Sequence, residues 1–274
     1  MALSLRSNLI ANQVASSLSH TQTAIQDVLS RIATGRRVVS ARDDAAGSAV
    51  AINLSVRARS GLQAVRNSND AVSVLATAVG AAAEVEHILQ RMRELAVQSA
   101  SETLATTERA YVFNEFDKLE DEFSRISQTT EFNGQALTDG TTSSLTVQVG
   151  ITGGTSSEIS VILPDLAGFH GMITTADVSS ASNAQTAIDT VDTVHDLLNA
   201  VRARMGAQVN RLESARTYQV AHAAELTGAV SRIEDADMAH ETAKLASLQV
   251  RQRAGVAALA QARQMHRSII SLLG

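Results

Sequence analysis

The stretch Val14-Ala-Ser-Ser-Leu18-Ser-His-Thr21-Gln-Thr-Ala-Ile25-Gln-Asp-Val28-Leu-Ser-Arg-Ile32 sets the reading of the whole chain. Val14, Leu18, Thr21, Ile25, Val28 and Ile32 stand four and three apart in turn. That alternation places all six on one stripe of a helix, as a coiled-coil seam requires. Gly35 supplies the residue type that ends helices in a left-handed turn. Ser40 followed three residues later by Asp43 has a capping-box pattern, so the next helix is expected to begin at Ser40. The acidic pair Asp43-Asp44 suits the positive end of that helix.

Outward from this stretch, residues 45 to 101 read as one long helix. Leu62, Val65, Val72, Ala76 and Val79 mark its stripe, and Ile88, Met92 and Leu95 continue it with a shifted phase. The Ser/Thr-rich run from Ser101 to Thr107 is a loop. A cleaner heptad follows in Val112, Phe116, Leu119, Phe123 and Ile126. The period then changes. Asn133-Gly134 and Asp139-Gly140 are turn dipeptides. Leu145, Val147, Val149 and Ile151 alternate, Gly153-Gly154 intervenes, and Ile159, Val161 and Leu163 alternate again, which is a β-hairpin signature. Gly168 to Ser182 reads as a loop. Helical spacing returns at Ile188, Val191, Leu198, Met205, Val209 and Leu212, and resumes through Leu226, Val230 and Ile233. A looser seam of Leu245, Leu248, Val256, Leu259, Ile269 and Leu273 closes the chain, interrupted at Gln252. The fold expected is mainly α: a long helical coiled-coil or bundle rod built by both halves, with a small β-hairpin near 145–163.

Composition narrows the function. The 274 residues are 45% hydrophobic but only 3% aromatic, so small side chains suited to closely packed helices replace a bulky core. One Pro leaves nearly all of the chain free to be helical. The net charge of −5 comes with scattered Lys and Arg, which argues against nucleic-acid binding. No run of some twenty consecutive apolar residues stands out, so no membrane span is expected. The start Met-Ala-Leu-Ser-Leu-Arg lacks the basic and apolar regions of a cleaved signal. The absence of Cys removes disulfides and thiolate chemistry.

Catalytic patterns fail one by one. His240-Glu241 begins like a zinc-protease motif, but Lys244 stands where the second His is needed. The seven His are dispersed, so metal binding is unsupported. Gly47-Ser48 has no nucleophile-elbow context, and Gly153-Gly154 lacks the Lys-Ser/Thr of a phosphate cradle. Asn53-Leu-Ser55 matches a glycosylation triplet but falls mid-helix, and Glu120-Asp-Glu122 is the wet face of the Phe116–Phe123 helix. No enzyme activity and no cofactor are expected.

Specific strings then matter. Thr34-Gly35 followed by Ser40-Ala-Arg-Asp-Asp-Ala-Ala-Gly47 resembles the N-terminal signature of bacterial flagellins. Leu89-Gln-Arg-Met-Arg-Glu-Leu-Ala-Val-Gln98 is similar to that family's second N-terminal block, and Phe132-Asn133-Gly134 to the turn after its third helix. Ser231-Arg-Ile-Glu-Asp-Ala-Asp237 and Ile270-Ser-Leu-Leu-Gly274 resemble its C-terminal signatures. The strings span most of 30–134 and 230–274 in family order.

The resemblance implies a subunit that polymerises with itself into the flagellar filament for swimming. It implies an inner terminal coiled-coil domain of 1–39 with 238–274 and an outer helical rod of 40–237. The polymerisation seam is then Val14, Leu18, Ile25, Val28 and Ile32 with Leu245, Leu248, Val256, Leu259, Ile269 and Leu273. Only about 50 residues separate Gly134 from Ile188, so the outer variable domains of many flagellins are absent. Export through the flagellar type III apparatus without signal cleavage is expected, as are a chaperone on the C-terminal segment and contacts with filament cap and junction proteins. An animal Toll-like receptor is a further implied partner, and its matching positions are Arg91, Leu95 and Glu115. The nearest rival reading is the hook–filament junction protein. The Arg-Ile-Glu-Asp-Ala-Asp string and the Ser-Leu-Leu ending favour the filament subunit over it.

Overall fold

The computed structural model describes residues 8–273. The chain divides into two compact units, Met1–Val56 with Glu225–Gly274 and Arg57–Ala224. In order it forms α1 (Leu9–Thr34), α2 (Ala45–Ser99), α3 (Thr106–Thr129), β1 (Glu131–Phe132), β2 (Gln135–Ala136), β3 (Ser144–Gln148), β4 (Glu158–Ile162), α4 (Leu166–Ile173), α5 (Ala181–Glu234) and α6 (Met238–Leu273). This is the mainly helical fold with a small hairpin that the periodicity predicts.

In the first unit α1 and α6 pack together. Asn8 begins α1, its Oδ1 accepting from the Ala11 amide at 2.9 Å. Gly35 ends it at φ 69°, a left-handed conformation that is costly for a side-chain-bearing residue. The second helix does not begin at Ser40. Asp43 Oδ2 instead accepts from the Val39 and Ser40 amides at 3.2 and 3.0 Å, closing a turn. Asp44 then caps the helix, its Oδ1 accepting from the Gly47 amide at 2.8 Å. Two acidic neighbours thus divide the work: Asp43 holds the loop and Asp44 opens α2.

In the second unit α2 carries a strict heptad of buried residues. Gly61, Ser68, Leu75, Ala82, Leu89 and Ala96 form one row, and Ala64, Ala71, Ala78, Val85, Met92 and Ser99 the other. This corrects the stripe read from the sequence. Leu62 is 47% exposed and Ala76 is exposed, one position off the true seam. Most of the buried positions are small because the facing helix comes close, so bulk does not mark the face. On α5, Val191, Leu198, Met205 and Leu212 are buried as expected, joined by Ala184, Ala187, Val194 and Gln208. The two helices run antiparallel: Arg93 Nε donates to Asp192 Oδ1 at 2.6 Å, Arg202 pairs with Glu86, and Gly61 lies beside Ala223.

Phe116 and Phe123 on α3 are 1% and 0% exposed and fill the space the small residues leave. The α2–α3 loop is tied from inside by Arg109, which is buried. Its Nη1 donates to Ser99 Oγ and its Nη2 to the Ser101 carbonyl, both at 3.2 Å. Part of the segment read as a loop from Gly168 is helix. Asp165 Oδ1 accepts from the Gly168 amide at 2.7 Å, and fully buried Leu166 and Ile173 anchor α4 despite two glycines within it. By length and composition α2 also includes a stretch apolar enough to cross a membrane, where the sequence reading expected none. Its Ala/Val richness serves the buried heptad.

The hairpin pairs Leu145 with Val161 and Val147 with Ile159. Two amides dock it on the helices. Asn67 Nδ2 donates to the Gln148 carbonyl at 3.0 Å. The Gln208 amide, oriented to match donors with acceptors, donates to the Ile162 carbonyl at 3.2 Å and accepts from its amide at 2.9 Å. Asn133 and Gly134 turn β1 into β2 with φ of 51° and 78°, the two left-handed residues a tight hairpin uses.

Candidate assembly surface

The α1–α6 pair is antiparallel and thin. Asn8 Nδ2 donates to the Ala262 carbonyl at 3.0 Å, Gln252 Nε2 to Gln22 Oε1 at 2.6 Å, and Arg31 faces Glu241 at 3.6 Å. Between these polar rungs Ile25, Val28 and Leu248 form a buried cluster, with Ile32 and Leu245 half-buried against it. Val14, Leu18 and Leu259 are also half-buried. Val256 is not on this contact: it is 53% exposed. The seam passes instead through Gln252 and Gly255, where a Cβ would lie 3.4 Å from the Leu18 methyl. Spacing had treated Gln252 as an interruption, whereas it pairs with Gln22 across the contact. The side chains of Ile269 and Leu273 lie outside the described residues.

Much of the apolar surface of this unit faces outward. Leu9, Ile10, Val250, Val256 and Met265 are each more than half exposed, and Leu29 is 47% exposed. These side chains are spread over both helices of the pair.

The two terminal signatures meet where the chain leaves this pair. The Arg37 amide donates to the Glu234 carbonyl at 2.6 Å and the Ala236 amide to the Gly35 carbonyl at 2.9 Å. Arg36 pairs with Glu234 at 3.3 Å, and Asp237 caps α6 by accepting from the Ala239 and His240 amides. Amide and hydroxyl donation from Ser40, with Arg31 nearby, holds the Asp43 carboxyl below its usual range. The arginines and acids of these strings are thus structural clasps. His240 is exposed and Glu241 is buried beside Arg31, so that dipeptide serves packing.

In the second unit Arg91 and Glu115 lie together on the surface, Arg91 donating from Nε and Nη2 at 2.8 and 2.7 Å. These bonds and a third to Glu94 raise the guanidinium pKa further. Leu95 does not join them. It is 1% exposed and belongs to the core, because it lies on the face of α2 that packs inward.

Long paired helices with apolar side chains turned outward are the architecture of a helical assembly subunit. Comparison with known proteins sharpens this. The model of the bacterial flagellin N-terminal helical region matches residues 5–143, and that of the C-terminal helical region matches 188–273. A flagellin of Halalkalibacterium halodurans is 38% identical over 248 residues, covering 90% of this chain and 91% of that one. The crystal structure of Bacillus cereus flagellin superposes with a TM-score of 0.50 at 29% identity, over 56% of this chain and 88% of that one. A putative flagellar hook-associated protein from Vibrio parahaemolyticus shares the fold alone, with a TM-score of 0.61 at 14% identity over 70% of this chain and all of that one. The chain belongs to the bacterial flagellin family. It is a structural subunit of the flagellar filament and not an enzyme, and its length fits a flagellin without variable domains.

Proposed function

We propose that α1 and α6 form the inner assembly layer of the filament, and that their seam is completed by neighbouring subunits. The observation that carries this reading is the contrast between the small buried cluster of Ile25, Val28 and Leu248 and the exposed apolar side chains on the same two helices. Fixing a residue's backbone costs about 1–2 kcal/mol, and a helix pair this thinly packed recovers too little from burial to be firmly ordered alone. Ordering of the terminal helices is therefore coupled to assembly, as binding to the folded form stabilises it by mass action. The inner domain comprises 1–39 and 238–274, and 40–237 is the outer rod.

Before assembly, α6 offers its apolar stripe to an export chaperone. The chain leaves by the flagellar type III route and grows the filament between junction and cap proteins. An innate receptor reaching the rod meets Arg91 and Glu115 as a charged surface pair, while Leu95 acts from beneath by shaping α2. Deleting residues after Ala246 tests the reading. Thermal melting of the Arg57–Ala224 unit should be unchanged and polymerisation lost. Filaments formed by the truncated chain would overturn it.

A further inference from the structure

Charge in the Arg57–Ala224 unit is sharply segregated along its axis. Residues 57–70 and 204–224 hold six Arg against Asp70 and Glu213, a net charge of +4. Residues 71–203 hold eighteen Asp and Glu against six Lys and Arg, a net charge of −12. Because α2 and α5 are antiparallel, the first group gathers toward one end of the unit and the second toward the other. Within α5 alone the switch is plain: Asp189, Asp192 and Asp196 precede Arg204, Arg211 and Arg216. A helix macrodipole does not account for this, since its influence fades within the first and last turns.

The two groups also differ in how they are paired. In the acidic part Arg91, Arg93, Lys118, Arg125 and Arg202 are each in an ion pair, and Arg109 is buried. At the basic end all six Arg are exposed, and none has an acidic partner within the unit among the described residues. Arg66 is occupied only by the Gln63 amide oxygen. Their spacing is regular. Arg59 and Arg66 on α2, and Arg204 and Arg211 on α5, are heptad pairs, as are the exposed Asp189 and Asp196. Each such pair repeats at ~10.5 Å along its helix.

We propose that the basic end of this unit docks on the acidic part of the same unit in the next copy, so that charge sets the stagger between parallel neighbours. Two parallel copies in register would place like charges side by side. Sliding one by about 22 Å, the rise of fifteen residues from Asp189 to Arg204 and from Asp196 to Arg211, brings these oppositely charged heptad pairs level. A staggered contact is heterologous and repeats without closing, as a filament requires. The inference rests on the reading that this chain polymerises.

The test uses full-length chains, and sedimentation at low ionic strength gives the critical concentration. Arg204→Glu with Arg211→Glu makes the heptad pair at the basic end acidic like the Asp189/Asp196 pair it meets, and Asp189→Arg with Asp196→Arg makes both pairs basic. Each chain alone should need roughly tenfold more protein to polymerise than the wild type, because like charges now meet. An equimolar mixture should return to within about threefold of wild type. High salt should shrink the differences. Arg204→Gln with Arg211→Gln should fall between wild type and the reversal, and all variants should keep the wild-type melting profile. Single-face variants that assemble like wild type, a mixture no better than its components, a lowered melting temperature, or a closed wild-type dimer that never elongates would each overturn the proposal. Failure of the wild type to form filaments at all would instead overturn the polymerisation reading beneath it.

Discussion

The α1–α6 pair and the Arg57–Ala224 unit are built from the same heptad signal and come to different ends. Along α1 and α6 the heptad buries Ile25, Val28 and Leu248, and leaves Val14, Leu18, Ile32, Leu245 and Leu259 half-covered. Along α2 and α5 it buries row after row, because α3, the hairpin and α4 close over the same core. A heptad states that one stripe seeks a partner; it does not state how many partners the chain itself supplies. Where the chain supplies several, the seam can use Ala and Ser and still be dry. Where it supplies one, the remaining apolar surface is left for a second molecule.

The comparison breaks most readily at Phe116 and Phe123. Replacing either with Ala should cost roughly 3–5 kcal/mol in the melting of the Arg57–Ala224 unit, since no neighbour can collapse into the space. An unchanged melting curve would mean this core is no tighter than the terminal pair. Ala78→Leu probes the same seam from the opposite side. Ala78 is 0% exposed on a close helix contact, so the added bulk should destabilise by about 1–3 kcal/mol. Ile25→Ala should barely move that melting curve and should impair polymerisation, because its partners complete their packing only in the filament. A loss in the unassembled chain as large as that of Phe123→Ala would erase the contrast.

The smallest effect concerns the surface pair Arg93–Asp192. Hydrogen bonding by Arg93 lowers the Asp192 pKa. Its contribution is therefore present above the unfolded carboxyl value of about 3.9 and fades as pH falls through the lower folded value. Asp192→Asn should slightly lower the melting temperature at neutral pH and converge with wild type in strong acid. An equal difference at both pH values would assign the effect to packing.

The helices, the Asn133-Gly134 turn and the hairpin were legible in sequence because each carries its own local signal: heptad spacing, a turn dipeptide, strict alternation. Phe116 and Phe123 were equally plain as rare bulky residues on one stripe. The α2 seam was misread because Leu62, Val65 and Val72 draw the eye, while Ala64, Ala71 and Ala78 lie one place away at perfect spacing. In a chain poor in aromatics the small residues mark the closest approach. The α4 helix was hidden by Gly168 and Gly171, since its stability comes from Leu166 and Ile173 reaching a core that no local pattern announces. Asp43 and Asp44 read as one helix-start signal, whereas Asp43 closes the preceding turn and Asp44 caps α2. On α6, Val256 reads as part of the seam by its bulk, yet it is 53% exposed while its neighbour Gly255 lies against Leu18.

Hydrogen exchange on the isolated chain and on the filament tests the account most directly. In the isolated chain, amides of residues 9–34 and 238–273 should exchange within the dead time while those of Phe116, Phe123 and the α2 seam are protected. In the filament both sets should be protected. Strong protection of the terminal helices in a verified monomer would contradict the claim that a second molecule completes their core.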